Sequence, residues 1–234
     1  MSTLRSTLAT TTAAALLGLS GVAMAAPITI DYTDVVGGTL PAGTTATPVG
    51  GSFQVKSAGS GADSITGVGI SGGPTPGEID VGQSIVFDFG SAVVLNDLRI
   101  ALLYVGPAWG DPTDGEKAEF VATLAGGGSS TVTFQVNADG TSGVLDPFTG
   151  SWNFCSTNAA NLESSGGCWD FADLFGNNAI TSLALNARSV VDSGNDTDYV
   201  FVNMTYTPVP APAALALLGF GLVGIALVRR RISA

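Results

Sequence analysis

The chain has 234 residues, with 8 Lys+Arg against 19 Asp+Glu and 0 His, for a formal net charge of −11. The lack of histidine excludes Ser-His-Asp and Cys-His catalysis and the usual imidazole metal sites. All 19 acids fall between Asp31 and Asp198 beside four bases, Lys56, Arg99, Lys117 and Arg188, so the middle nets −15 and repels nucleic acid and anionic lipid.

The chain opens MSTLRSTLATTTAAALLGLSGVAMAAP. Arg5, the apolar core from Ala13 to Val22 and the small-x-small box Ala23-Met24-Ala25 read as a secretory signal peptide over residues 1–25, cut before Ala26. Residues 26–207 then form one domain, long enough for a buried core and short for two.

Within that domain, ITIDYTDV (Ile28 to Val35) alternates as a strand. FQVK and ITGVGI are weaker candidates. Gly67-Val68-Gly69-Ile70-Ser71-Gly72 fits G-x-G-x-x-G but runs into Gly73-Pro74-Thr75-Pro76, where no helix can start, so it reads as a loop with no pyrophosphate site. SIVFDF (Ser84 to Phe89), VLNDLRIALLYV (Val94 to Val105), AEFVATLA (Ala118 to Ala125) and TVTFQV (Thr131 to Val136) follow, the last with Val132, Phe134 and Val136 on one face. CWDFADLF (Cys168 to Phe175) is the one short helix expected in the middle, and ITSLALNA (Ile180 to Ala187) and DYVFVNMTYT (Asp198 to Thr207) close the strand series. GGPTPGE, AGGGSS and NADGTSG punctuate it as turns. Strands spaced near ten residues with Gly-rich punctuation predict an all-β fold, an antiparallel, jelly-roll-like β-sandwich.

Cys155 and Cys168 are the only cysteines, and in an exported chain the pair predicts a disulfide, contributing ~3 kcal/mol through loop closure. An aromatic insert surrounds them: Phe148, Trp152, Phe154, Trp169, Phe171 and Phe175. Trp109, Trp152 and Trp169 are candidate sugar platforms, because ring faces stack on pyranose faces; a mini-core packed around the disulfide is the competing reading. Two acidic loops offer hard oxygens at the close spacing calcium takes: Asp111, Asp114 and Glu116 in one, Asp192, Asn195, Asp196 and Asp198 in the other. Asx-rich turns also arise for conformational reasons alone. Paired carboxylates for glycoside hydrolysis, drawn from Glu78, Glu116, Glu119 or Glu163 with a nearby Asp, compete with a plain solvated acidic face.

The chain ends VPAPAALALLGFGLVGIALVRRRISA. Pro208, Pro210 and Pro212 make a stiff extended entry. The apolar run from Ala213 to Val228 would be about 24 Å long as a helix, short for a ~30 Å hydrocarbon core, and Arg229, Arg230 and Arg231 stop transfer behind it. A plain single-pass anchor is one reading of this segment.

Residues 208–234, through Val209-Pro210-Ala211-Pro212-Ala213, the apolar run and Arg229-Arg230-Arg231, resemble the PEP-CTERM sorting signal of Gram-negative bacteria, with Ala211 in place of the central acid of Pro-Glu-Pro. The resemblance implies export, a transient inner-membrane anchor, processing by an exosortase-type enzyme, and delivery to the outer surface or extracellular matrix. Such proteins are associated with exopolysaccharide in biofilms and flocs. The strand series itself is loosely similar to galactose-binding-like or lectin-like β-sandwiches. The function expected is therefore that of a non-enzymatic protein binding or organising extracellular polysaccharide, with no nucleic-acid partner. A carboxylate-based glycan-active enzyme and a calcium-dependent structural matrix protein are the alternatives.

Overall fold

The computed structural model describes residues 25–58, 64–104, 115–147, 150–155, 167–189 and 197–210. Strand β1 (Ile28–Asp31) opens the fold and stops where Asp31 caps the short helix α1 (Tyr32–Gly37). The Asp31 carboxylate accepts from the backbone N–H of Thr33 at 2.8 Å and of Asp34 at 3.2 Å, while Asp34 accepts from the Asp31 N–H at 3.0 Å. Alternation predicts a strand through Val35; this reciprocal cap satisfies the first-turn donors and converts the second half into a helix.

Strands β2 (Thr45–Val49), β3 (Phe53–Ala58) and β4 (Ile65–Ile70) follow. The G-x-G-x-x-G stretch is thus strand through Ile70 and not a loop. Its glycines serve close approach: a Cβ at Gly67 would lie 2.5 Å from Val200 Cγ2, and one at Gly69 would run into the Glu78 backbone.

The long strand β5 (Ser84–Ala101) joins two stretches that the sequence reads as separate strands. They meet at a corner, where Gly90 takes φ 64 with no room for a Cβ against the Gly43 carbonyl. Strands β6 (Lys117–Leu124) and β7 (Ser129–Val136) form the expected hairpin, and Val132, Phe134 and Val136 all point into the core at 0% exposure. After β8 (Gly143–Asp146) and β9 (Ser151–Phe154) comes β10 (Trp169–Ala172), where a short helix is expected. Trp169 and Phe171 alternate inward there, hydrogen-bonded strands flank both sides, and Asp173 turns the chain out at φ 55. Strands β11 (Ile180–Ala187) and β12 (Val200–Pro208) complete the set.

All pairings between named strands are antiparallel. Hydrogen bonding runs β3-β4-β12-β5-β11-β6-β7-β8, and the bend in β5 folds this series onto itself. Residues 84–88 of β5 lie between β2 and β11, whereas residues 97–100 lie between β10 and β12. The two halves face each other as a sandwich. Their inner faces meet ring against ring, with centroid distances of 5.0 Å for Phe87–Phe201, 5.2 Å for Phe120–Phe171 and 4.9 Å for Phe134–Trp169. Among the described residues no helix is long and apolar enough to cross a membrane. The signal peptide expected over 1–25, but for Ala25, and the apolar run over 213–228 lie outside the described residues.

Candidate functional site

The densest chemistry among the described residues is a buried group of acids that sequence patterning does not bring together. Glu78 and Asp80 sit on the segment between β4 and β5, and Asp198 lies just ahead of β12; they are only 4%, 1% and 7% exposed. Backbone bonds fix this seam, with the Ile79 N–H donating to the Tyr199 carbonyl at 2.6 Å and the Ile70 N–H to the Glu78 carbonyl at 2.9 Å. Lys56 reaches in from β3 to pair with Glu78 at 2.6 Å.

One lysine does not balance three carboxylates. Burial first, then a hydrogen bond to Glu78 and its charge, push the Asp198 carboxyl up to about 9, so Asp198 keeps its proton beside Glu78. Burial and the neighbouring Asp198 push Asp80 up to about 6. One Asp80 oxygen accepts from the Thr75 N–H at 3.2 Å; the other, and the hydroxyl of Thr197, have no hydrogen-bond partner. A glycosidase needs two carboxyls about 5 Å or more apart across an open cleft. Glu78 and Asp198 share a hydrogen bond under cover of protein, so this pair clamps β3, the 71–83 segment and β12 together and has no room for a glycosidic bond. The sequence signal that could have found it is Glu-Ile-Asp at 78–80, where two acids flank one fully buried isoleucine.

Two residues expected as calcium ligands are committed elsewhere. Glu116 is fully buried and accepts from the backbone N–H groups of Asp198, at 3.0 Å, and Tyr104. Its carboxylate therefore ties two chain segments, and Asp198 turns to Glu78. Asp111, Asp114, Asp192, Asn195 and Asp196 lie outside the described residues, as does Trp109. Among the described residues no group of three His, Cys, Asp or Glu side chains could hold a metal ion.

Cys155 and Cys168 are disulfide-bonded, with a Cα–Cα distance of 5.2 Å, and the Cys155 N–H donates to the Cys168 carbonyl at 3.1 Å. The bond staples the edge strand β9 to β10. Trp169 cannot offer a ring face to a sugar: it is 0% exposed, its indole N–H donates to the Leu103 carbonyl at 3.1 Å, and Phe134, Phe154 and Trp152 pack around it. Trp152 is half-buried on β9 in the same inward-facing cluster. These two tryptophans build a mini-core beside the disulfide.

At the far end of the domain, Pro208 still pairs with Val93, and the Val209 N–H donates to the Ala92 carbonyl at 2.9 Å. Pro210 is exposed, and Ala211, Pro212, Ala213, Arg229, Arg230 and Arg231 lie outside the described residues. No curated protein and no solved structure matches the chain. Residues 208–231 match the model of the PEP-CTERM protein-sorting motif. The last strand of the sandwich delivers the chain straight into that motif, so this is an exported protein that carries a C-terminal PEP-CTERM sorting signal for an exosortase-type enzyme.

Proposed function

We propose that the β-sandwich is a non-enzymatic module that works outside the cell, binding or organising extracellular polysaccharide once its tail has been processed. The observation that carries this reading is the sorting motif at 208–231, attached without a spacer to a folded acidic domain. The signal peptide over 1–25 takes the chain across the inner membrane, the apolar run holds it there transiently, and exosortase-type processing releases it to the outer surface or matrix. A net charge of −15 over the middle keeps such a domain soluble and away from anionic surfaces, and leaves neutral polymers as its partners.

Fractionation of a Gram-negative host that carries an exosortase tests this. The wild-type protein is expected in the surface and matrix fraction, released by enzymatic digestion of the polysaccharide, while a chain truncated after Pro208 is expected to be missing from it. Full-length protein confined to the inner membrane would overturn the reading.

A calcium-dependent matrix role is the second reading. It is favoured by the Glu116–Asp198 contact, which places side by side the two described residues that follow the acidic stretches in the chain. A chelator-sensitive melting temperature, abolished by Asp192→Asn with Asp196→Asn, would support it. An unchanged melting curve on chelation would exclude it.

A further inference from the structure

The two outer faces of the sandwich obey different rules. Across β2, β5, β11, β6 and β7, one register row reads Thr47, Val86, Ala184, Val121, Thr131. These are mostly β-branched residues of the kind that suit a half-exposed pleated surface. Across β9, β10, β5, β12 and β1, the row is Asn153, Asp170, Arg99, Asn203, Asp31. Its neighbour along the strands is Ser151, Ala172, Asp97, Thr205, Thr29. Asn and Asp are depleted in strands, yet here they recur in register on adjacent strands.

Part of this row has a local structural reason. Asp31 caps α1, and Asp170 holds Arg99 in a two-pronged pair at 2.5 and 2.8 Å. Asn153, Asn203 and Asp97 have no side-chain partner among the described residues. Each breaks strand propensity with no compensating side-chain contact among the described residues, a pattern expected where function and not folding selects the residue.

The row is also rigid. The disulfide fixes β9 against β10, and the guanidinium fork is locked at the centre. Five strands at ~4.8 Å spacing make it ~19 Å long, enough for several units of a glycan chain lying across the strands. Amide, carboxylate and guanidinium groups offer paired donors and acceptors of the kind that match neighbouring ring hydroxyls. With Arg99 set against Asp170 and Asp31, on a domain that nets −15, an anionic polymer is repelled and a neutral one is not.

We propose that this row is the face that holds a neutral polysaccharide, with Asn153 and Asn203 as its free hydrogen-bonding groups and the Arg99–Asp170 pair as its fixed centre. The assignment rests on the polysaccharide-binding reading above and narrows it to one surface and one class of polymer.

The test is affinity electrophoresis of the full-length chain in mild detergent, through gels carrying hydroxyethylcellulose, dextran, galactomannan or, as the anionic control, alginate. The key variant is Asn153→Thr with Asn203→Thr, because threonine suits the strand better than asparagine. It is expected to bind about ten-fold more weakly while melting at the same temperature or higher. Thr47→Ala with Thr131→Ala on the opposite face should leave retardation unchanged.

Retardation of the wild type and of the Asn-to-Thr variant alike would sink the face and leave polysaccharide binding standing. Loss of binding only in the Thr-to-Ala variant would move the site to the other sheet. Retardation by alginate alone, or by no polymer, would overturn both this assignment and the reading beneath it. A clear drop in melting temperature for the Asn-to-Thr variant would show the asparagines to be structural and would also overturn the face.

Discussion

Asp80 and Asp198 give the domain an unusual dependence on pH. A carboxyl whose folded pKa is raised stabilises the fold while protonated; that contribution is complete below the unfolded value and is lost as pH climbs through the folded one. For Asp80 the window runs from 3.8 to about 6, and for Asp198 from 3.8 to about 9. At ~1.4 kcal/mol per pH unit, the Asp80 window alone is on the order of 3 kcal/mol. Asp31 and Asp139 act in the opposite sense. Hydrogen bonds from Thr33 and Ser142 hold their carboxyls below the ordinary value, so their contribution is lost only as pH falls below 3.8. Urea unfolding is therefore expected to show greater stability at pH 5 than at pH 8. Asp80→Asn should gain on wild type by ~1–3 kcal/mol at pH 8 and by little at pH 4. A wild-type stability that rises from pH 5 to 8, or an Asp80→Asn variant that tracks wild type at every pH, would contradict this account of the buried carboxyls.

At the scale of elements, the corner in β5 and the staple on β9 carry the architecture. Gly90 sits at φ 64, where any Cβ would meet the Gly43 carbonyl, and Gly90→Val combines backbone strain with that clash. A loss of ~2–4 kcal/mol is expected in denaturant unfolding, against ~0.5 kcal/mol for an exposed strand change such as Val144→Thr. Removing the disulfide by Cys155→Ser with Cys168→Ser should cost ~3 kcal/mol and speed hydrogen exchange first in β9, which among the described strands pairs only with β10. Unchanged exchange at Trp152 and Phe154 would count against the staple. Where one physical effect dominated, the sequence was a sufficient guide. Strands β7 and β11 and the inward set Val132, Phe134 and Val136 follow from period-two alternation, and the disulfide from cysteine number and export. Where two effects compete, local pattern misleads: a capping box turns residues 32–37 of an alternating stretch into helix, and flanking strands turn Trp169–Ala172, expected as helix, into β10. The buried carboxylates were hard to read because Lys56, Glu78 and Asp198 come from three separated segments, and the one local hint, Glu-Ile-Asp at 78–80, does not say which partners it meets.

For the whole molecule, the junction between sheet and sorting segment decides what leaves the membrane. Pro208 pairs with Val93 and the Val209 N–H is bonded to the Ala92 carbonyl, so the first residues of the matched motif are already part of the sandwich. A processing enzyme needs its substrate backbone free to enter an active site, and a paired strand is not free. The four residue steps from Val209 to Ala213 can span at most ~14 Å, so an apolar run seated in the membrane from Ala213 would hold the domain close against the membrane surface before processing. Cleavage is accordingly expected beyond Val209, leaving β12 complete, and not within the strand. The intact mass of the protein recovered from an exosortase-bearing host reads this directly. A chain that starts at Ala26 and ends between Pro210 and Ala213, with or without an added group, agrees with the junction. One that ends before Pro208 would require β12 to unpair during processing, and one that runs to Ala234 would make the tail a permanent anchor and hold the sandwich at the membrane.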